Sequence, residues 1–169
     1  MSAIVPYVAP WQTEFNQYSV QNYTPTNPFF NVLAMTIPSG QWWRIIYLLG
    51  VATTSAAVMT RTAFMQVTDA TGRVTFKEIA PVSQPASSTY SYLYGPSLNA
   101  YANTTDPTAG QAVSVLPDLL LAPLSVVELA LGNVDASDSW GNTGVFSIEV
   151  YTEDRESDTL QPIAAPLIP

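Results

Sequence analysis

Carboxylates are the side chains with the widest catalytic scope in this sequence, because it contains no histidine and no cysteine. A serine hydrolase needs an imidazole, a cysteine protease needs a thiol, and zinc sites are built mainly from His and Cys. Such sites cannot be assembled from these residues. The composition therefore predicts a protein that is not an enzyme and that holds no metal ion or cofactor.

Two pairs of carboxylates could still serve a glycosidase, which places two carboxyl groups roughly 5–10 Å apart across a cleft. The pairs are Asp135 with Asp138 and Glu128 with Glu149. Neither pair lies in a distinguishing motif, and aspartates in a short polar stretch are typical of turns, where they accept hydrogen bonds from the loop backbone. We expect turn residues at 135–138, and a carbohydrate-active enzyme is the alternative.

The charge balance limits the partners. Thirteen acidic and five basic residues give a net charge of −8, and the basic residues do not cluster, which argues against a nucleic-acid partner. An RNA-packaging coat protein usually carries a basic terminal arm, but no basic residue precedes Arg44. The most apolar window, 42–59, falls short of the ~20 apolar residues of a membrane span. With 47% hydrophobic and 11% charged residues, we expect a surface largely covered by protein.

Alternating apolar residues predict strands along most of the chain. Phe146, Ile148 and Val150, for example, alternate with Ser147 and Glu149 as a half-buried strand requires. Short runs of this kind, separated by Gly, Pro and Asp, are typical of an all-β fold. We therefore predict an antiparallel eight-stranded β-sandwich, or jelly roll, over residues 32–154. The predicted strands lie within 31–37, 41–49, 57–67, 73–79, 88–94, 111–116, 126–134 and 144–153.

Proline-rich arms are predicted on both sides of the sandwich, at residues 1–31 and 155–169. Proline prevents a helix from continuing, so the arms are expected to be extended, and their apolar side chains need a surface to cover. We expect the C-terminal arm to dock on a neighbouring subunit and the N-terminal arm to lie across its own sheet or a neighbour. The predicted contact residues of the arms are Trp11, Phe15, Tyr18, Phe29, Phe30, Leu160, Ile163 and Leu167.

Two stretches of the sandwich are also predicted contact surfaces. In 42–49 both alternating sets are mostly apolar, so something other than water is expected to cover the second face, with Trp42 and Trp43 at the contact. In 88–94 the rings of Tyr90, Tyr92 and Tyr94 alternate and project from one face, where they could contact a subunit or stack on a glycan. Ordinary packing at the edge of the sandwich is the alternative for these tyrosines.

Two parts of the sequence resemble small jelly-roll proteins from the virions of tailed bacteriophages. Residues 117–153 look like the end of those proteins, where a Leu- and Pro-rich turn leads to a strand, an Asp-Ser-Trp loop and a final strand with acidic residues. Residues 41–76 are similar to their first half, and the similarity covers roughly 38–154. Arg61, Asp138 and Trp140 occupy matching positions. The family usually has Gly after the Leu-Pro turn, whereas this chain has Leu124.

The resemblance implies a decoration or cement protein on the exterior of a phage capsid, made in the host cytoplasm. Such a protein would form a homotrimer and clamp adjacent major capsid proteins, with the arms and residues 42–49 as contact surfaces. A tail, adaptor or receptor-binding module of the virion that binds carbohydrate is the alternative, because one fold hosts many functions.

Overall fold

In a computed structural model, the chain forms two β-sheets whose apolar faces pack against each other, so the predicted all-β sandwich is confirmed. The structure describes residues 15–24, 26–29, 31–106, 108–141 and 144–153, and these contain no helix. The strands of this part, in chain order, are β1 (Phe15–Tyr23), β2 (Thr26–Phe29), β3 (Val32–Thr36), β4 (Gln41–Thr53), β5 (Arg61–Thr68), β6 (Val74–Gln84), β7 (Thr89–Gly95), β8 (Tyr101–Asn103), β9 (Ala109–Val115), β10 (Leu120–Leu121), β11 (Val126–Gly132), β12 (Ser139–Trp140) and β13 (Val145–Glu153).

The larger sheet has eight strands, in the order β1-β13-β4-β7-β9-β8, with β10 and β12 also paired to β4. Its strand pairs are antiparallel except β7 with β9, which run parallel. The smaller sheet has five antiparallel strands, in the order β2-β3-β11-β5-β6. Each of the eight predicted runs overlaps a strand, but β4 continues past the predicted end at 49 to Thr53, and β6 continues past the predicted end at 79 to Gln84. The strands beyond eight include β8, β10 and β12, which at two or three residues are too short to show a period of two.

Residues 15–29, which the sequence places in the N-terminal arm, supply strands to both sheets. β1 pairs with β13 from Phe15 to Tyr23, and β2 pairs with β3. Pro28 does not prevent this, because β2 is an edge strand, where a missing backbone N–H is tolerated. Residues 1–14 and 154–169 lie outside the described part of the chain.

A β-bulge in β4 reverses the predicted alternation of its faces. Ile45 and Tyr47 pair with consecutive residues of β13, so Ile46 is an extra residue in the ladder. Beyond the bulge Leu48 is buried, and Tyr47 and Leu49 lie half-buried on the outer side. Strict alternation along 42–49 would place Tyr47 and Leu49 on the same face as Ile45, but the inserted residue exchanges the two faces of the strand and moves both side chains to the outer side.

Gly50 allows the two sheets to approach closely. A Cβ at this position would lie 2.7 Å from a ring atom of Trp140 and 3.0 Å from the side chain of Leu129 in the smaller sheet. Trp140 is buried between the sheets, and its Nε1–H donates a 2.9 Å hydrogen bond to the carbonyl of Asn31. The tryptophan of the predicted Asp-Ser-Trp loop is thus a core residue that joins the two sheets.

Candidate functional site

The two predicted tryptophan contacts lie on opposite sides of β4. Trp43 is fully buried, its ring stacks on Tyr23 with centroids 4.8 Å apart, and its Nε1–H donates to Gln41 at 3.1 Å. Trp42 is half-buried on the outer side, where it pairs with Tyr151. The prediction that Trp43 contacts a partner is wrong, because neighbouring side chains of a strand point to opposite faces; for Trp42 it stays a prediction.

The tyrosine stripe of β7 lies in the core, so its predicted role as a contact or glycan surface is wrong. Tyr90, Tyr92 and Tyr94 are all at most 2% exposed. β7 lies between β4 and β9, and the tyrosines share the inner face with the buried residues of β4. Tyr92 meets the ring of Trp140 edge-on at 5.8 Å and donates a 3.1 Å hydrogen bond to Gln84. Burial raises the pKa of Tyr92 and of Tyr94.

The hydroxyl of Tyr94 is a buried polar group that lacks a hydrogen bond. The side chain of Ser114, on the neighbouring strand β9, lies close enough to act against the rise in the pKa of Tyr94, but its contact with the hydroxyl lacks the geometry of a hydrogen bond. An unsatisfied buried hydroxyl costs about 1–3 kcal/mol. Tyr94 therefore contributes its ring to the core at the expense of its polar group.

The predicted contact residues of the arms cannot be placed on a surface. Trp11, Phe30, Leu160, Ile163 and Leu167 lie outside the described residues. The backbone of Phe15 and Tyr18 belongs to β1, and that of Phe29 belongs to β2. Phe15 pairs with Glu153 at one end of the β1–β13 ladder. The contacts of both segments stay predictions.

Asp135 and Asp138, the first predicted carboxylate pair, lie in a turn, and Asp138 forms a buried ion pair with Arg61. Asp138 and Arg61 are both 0% exposed. Two guanidinium N–H groups donate to the carboxylate at 2.8 and 2.9 Å. The other three guanidinium N–H groups donate to the carbonyls of Ala57 and Met59 and to the hydroxyl of Ser55. All five donors of the guanidinium are therefore satisfied.

The carboxylate of Asp138 is equally well satisfied. Besides the two bonds from Arg61, it accepts the backbone N–H groups of Ser55 and Asp135, each at 2.7 Å. Desolvation alone would raise the pKa of Asp138, but the hydrogen bonds from Arg61 and the two N–H groups outweigh it and lower the pKa to about 2. Asp138 therefore stays ionised and fixes the loop before β5 against the loop before β12.

The second carboxylate pair is not assembled. Glu128 lies on β11 of the smaller sheet and pairs with Gln66 of β5, whose Nε2 donates to it. Glu149 lies on β13 of the larger sheet. Among the described residues, no group of three or more Asp and Glu side chains is placed to hold a metal ion. Nor does this part of the chain contain a helix long and apolar enough to cross a membrane.

A cleft of about 470 Å³ opens beside Arg44 on the outer side of β4. Arg44 bridges two carboxylates, binding Asp118 through two N–H groups and Glu149 at 3.3 Å. The hydrogen bond from Arg44 lowers the pKa of Asp118. The apolar lining of the cleft consists of Ile45, Ile46, Pro96, Leu116 and Pro117. The cleft thus has an aliphatic floor and one wall whose charges are paired with each other.

The corner before β11 holds a leucine in a conformation that favours glycine. Leu124 has a φ of 65°, and the N–H of Ser125 donates to the carbonyl of Ala122 at 3.3 Å, as in a turn with Pro123 and Leu124 at its centre. A non-glycine residue in this region costs about 1–2 kcal/mol, and the leucine is 51% exposed.

A row of apolar side chains crosses the outer side of the larger sheet. Residues paired directly across strands share one face, and the pairings of β13, β4, β7, β9 and β8 align five such residues. They are Val145, Leu49, Leu93, Val113 and Tyr101. Val113 is nearly covered, Tyr101 is 51% exposed, and the other three are half-buried.

This row belongs to a wider surface without charge. β7, β8 and β9 contain no Asp, Glu, Lys or Arg. We call the outer side chains of these three strands, with Leu49 and Val145, the charge-free face. A signal for it exists in the sequence, because residues 79–105 and 107–117 contain no charged residue. The three tyrosines, predicted as a contact surface, lie on the opposite side of β7 from Ser91 and Leu93.

Comparison with protein-family models finds no match, and comparison with curated proteins finds none either. Among solved structures, the chain is similar to one described as "Structure of PfGH50B", with 12% sequence identity and a TM-score of 0.32. The similarity covers 82% of this chain and 23% of that chain. This chain therefore spans less than a quarter of the length of the protein that it matches.

Proposed function

We propose that this chain is a structural protein of a virion, a decoration protein that binds the outer surface of a bacteriophage head and clamps adjacent major capsid proteins. The observation that carries the proposal is the charge-free face, on which Tyr101 and Val115 are exposed, because the centres of protein–protein interfaces are depleted of charged residues.

The proposed mechanism is mechanical. Copies of the chain associate, as a homotrimer in our proposal, and each copy adds contacts to the shell through its own surface and its terminal segments. Binding energies of linked contacts combine, so each contact can be weak while the whole assembly holds firmly.

Reconstitution on shells tests the proposal. Under the proposal the chain is encoded by a phage, and empty shells of the major capsid protein of that phage would be mixed with purified protein and sedimented. We expect saturable pelleting with a fixed number of copies per shell. Protein that stays in the supernatant at every ratio would contradict the proposal.

Truncations then test the terminal segments. Removing residues 1–14 or 155–169 leaves every described strand in place, whereas removal of 1–30 would delete β1 and β2. We expect either short truncation to weaken pelleting and both together to weaken it most. If the doubly truncated protein pelleted like the full chain, the clamping role of these segments would be refuted while the decoration role stood.

A tail or receptor-binding role would place the same sandwich elsewhere on the particle. The glycan-binding version of that alternative depended on the tyrosine stripe, and Tyr90, Tyr92 and Tyr94 are buried. Immunogold labelling of intact particles separates the two roles, since labelling of the head is expected and labelling confined to the tail would refute the proposal.

A further inference from the structure

We infer that residues 4–11 of one copy add a strand to the free edge of β1 in a neighbouring copy. The inference deepens the proposed function and rests on its premise that copies associate. In the described part of the chain β1 pairs only with β13, so its other edge presents a row of backbone N–H and C=O groups. Such a row fits an extended polypeptide chain.

β1 is the unprotected edge strand of the described sheets. Natural edge strands avoid pairing with other chains by being short or by carrying proline or charge. Of the other strands at the ends of the two sheets, β2 has four residues with Pro28, β8 has three residues, and β6 carries Lys77 and Pro81. β1 has nine residues without proline or charge, and its one irregularity lies at its start, between Phe15 and Gln17.

The prolines of the N-terminal segment select it as the added strand. Residues 1–14 lie outside the described part of the chain, and Pro6 and Pro10 are four positions apart. Successive N–H groups of a strand point to opposite edges, so the two missing N–H groups would fall on one edge, and the N–H groups of 5, 7, 9 and 11 on the other. The residue before each proline is biased towards an extended conformation. Residues 4–11 thus suit a strand that pairs through one edge and protects the other with proline.

The C-terminal segment is less suited to this edge. Residues 154–158 carry four charges, and the prolines at 162, 166 and 169 would fall on both edges of a strand. Residues 1–13 and β1, by contrast, contain no charged side chain. The contact therefore sets no carboxylate against another, although each copy carries a net charge of −8.

The residues between the segment and β1 assign the strand to another copy. A hairpin onto its own β1 would need a tight turn within 12–14, and short hairpin loops depend on a residue in the left-handed region, most often glycine. Gln12, Thr13 and Glu14 include no Gly, Asn, Asp or Pro. We therefore expect the chain to continue away from its own β1, so that each copy donates one strand and accepts one.

Sedimentation velocity on the full chain measures the association. We expect an oligomer that dissociates on dilution between about 100 and 1 µM. Deletion of residues 1–14 removes no described strand and is expected to leave a monomer throughout this range.

Two proline substitutions test the edge itself. Ala9→Pro removes an N–H from the pairing edge and is expected to weaken association at least about tenfold. Val8→Pro is the matched control, because the N–H of Val8 points to the same outer edge as Pro6 and Pro10, and it should change association less than about threefold. Both positions lie outside the described strands, so neither substitution removes a described pairing.

Cross-linking shows which copy receives the strand. The chain contains no cysteine, so Ala9→Cys, Val20→Cys and Ile79→Cys each carry a single thiol. Val20 on β1 and Ile79 on β6 of the other sheet are both 55% exposed. With a bis-maleimide reagent and tags of different size, we expect covalent dimers of Ale9→Cys with Val20→Cys, and none above background with Ile79→Cys.

The outcomes separate this inference from the proposed function. A monomer at every concentration, equal effects of Ala9→Pro and Val8→Pro, or cross-links formed only within single copies of the double variant would overturn the inference. Association that requires residues 1–14, together with failure to bind shells, would refute the decoration role and leave the inference standing. Shell binding by a chain that is monomeric in solution and on the shell would do the reverse.

Discussion

Replacing Asp138 by asparagine tests the strongest polar network of the fold. The substitution keeps the shape of the side chain but removes its charge, which leaves the fully buried guanidinium of Arg61 without a counter-ion. It also replaces one oxygen by an NH₂ group, which cannot accept the hydrogen bonds that the lost oxygen received from Arg61 and from a backbone N–H.

The expected loss of unfolding free energy is large for the replacement of one carboxylate oxygen. Removing one partner of a buried ion pair destabilises a protein by about 3–5 kcal/mol, because the remaining charge is stranded in a medium that solvates it poorly. Small domains have unfolding free energies of only about 5–15 kcal/mol. We therefore expect Asp138→Asn to remove a substantial fraction of the total stability and to loosen the loop that carries Ser55.

Urea unfolding followed by tryptophan fluorescence measures the loss, because Trp140 lies buried two residues from the substitution. Asp135→Asn is the matched control. Its carboxylate accepts a hydrogen bond from Ser137 at 3.0 Å within the turn, and its backbone N–H, which serves Asp138, is unchanged. We expect the control to unfold almost like the original protein. Equal, small losses for the two variants would refute the importance of the ion pair.

The remaining predictions use the same unfolding assay. The pKa of Asp138 is lowered to about 2, so its ionised form stabilises the fold above pH 4, and this contribution of about 2 kcal/mol is lost as the pH falls from about 4 to 2. An identical acid sensitivity in Asp138→Asn would contradict this. Tyr94→Phe should leave the unfolding free energy unchanged or raise it by up to about 1 kcal/mol. Tyr92→Phe loses a hydrogen bond and should lower the unfolding free energy by about 1–2 kcal/mol. The opposite order would show that the Tyr94 hydroxyl is paired. Leu124→Gly relieves the strain of a backbone with a φ of 65° and should stabilise the fold by up to about 1 kcal/mol. Leu120→Gly, at an equally exposed leucine in a strand, should destabilise the fold by a similar amount. A loss of stability in both variants would refute the strain at the corner.

The fold class could be predicted because apolar and polar residues alternate with a period of two wherever one face of a strand is in the core and the other faces solvent. Phe146, Ile148 and Val150 are all buried as that pattern requires. The bulge at Ile46 could not be predicted, because it depends on the register of β4 against β13. The strands β10 and β12 could not be predicted either, since two residues carry no periodicity.

The candidate site could be predicted only in part. The need for a covered apolar surface follows from the composition, and the absence of charge from 79 to 105 marks the strands that carry it. The sequence does not show which side of β7 faces outwards. Both alternating sets contain apolar residues, so either the tyrosines or Leu93 could belong to the core. The pairing of Tyr92 with Gly50, whose inner side lies against Trp140, decides the question.

By itself, the sequence determined what chemistry is available: no imidazole or thiol, few charges, and alternating apolar runs that form sheets. Only the tertiary structure decided which residues meet. Arg61 and Asp138 are 77 positions apart in the chain, yet they form a bidentate pair sealed from water. Residue types and local periodicity can be read directly from the sequence. Strand register and the choice of the buried face are decided only when distant segments pair, because only then does one face lose its contact with water.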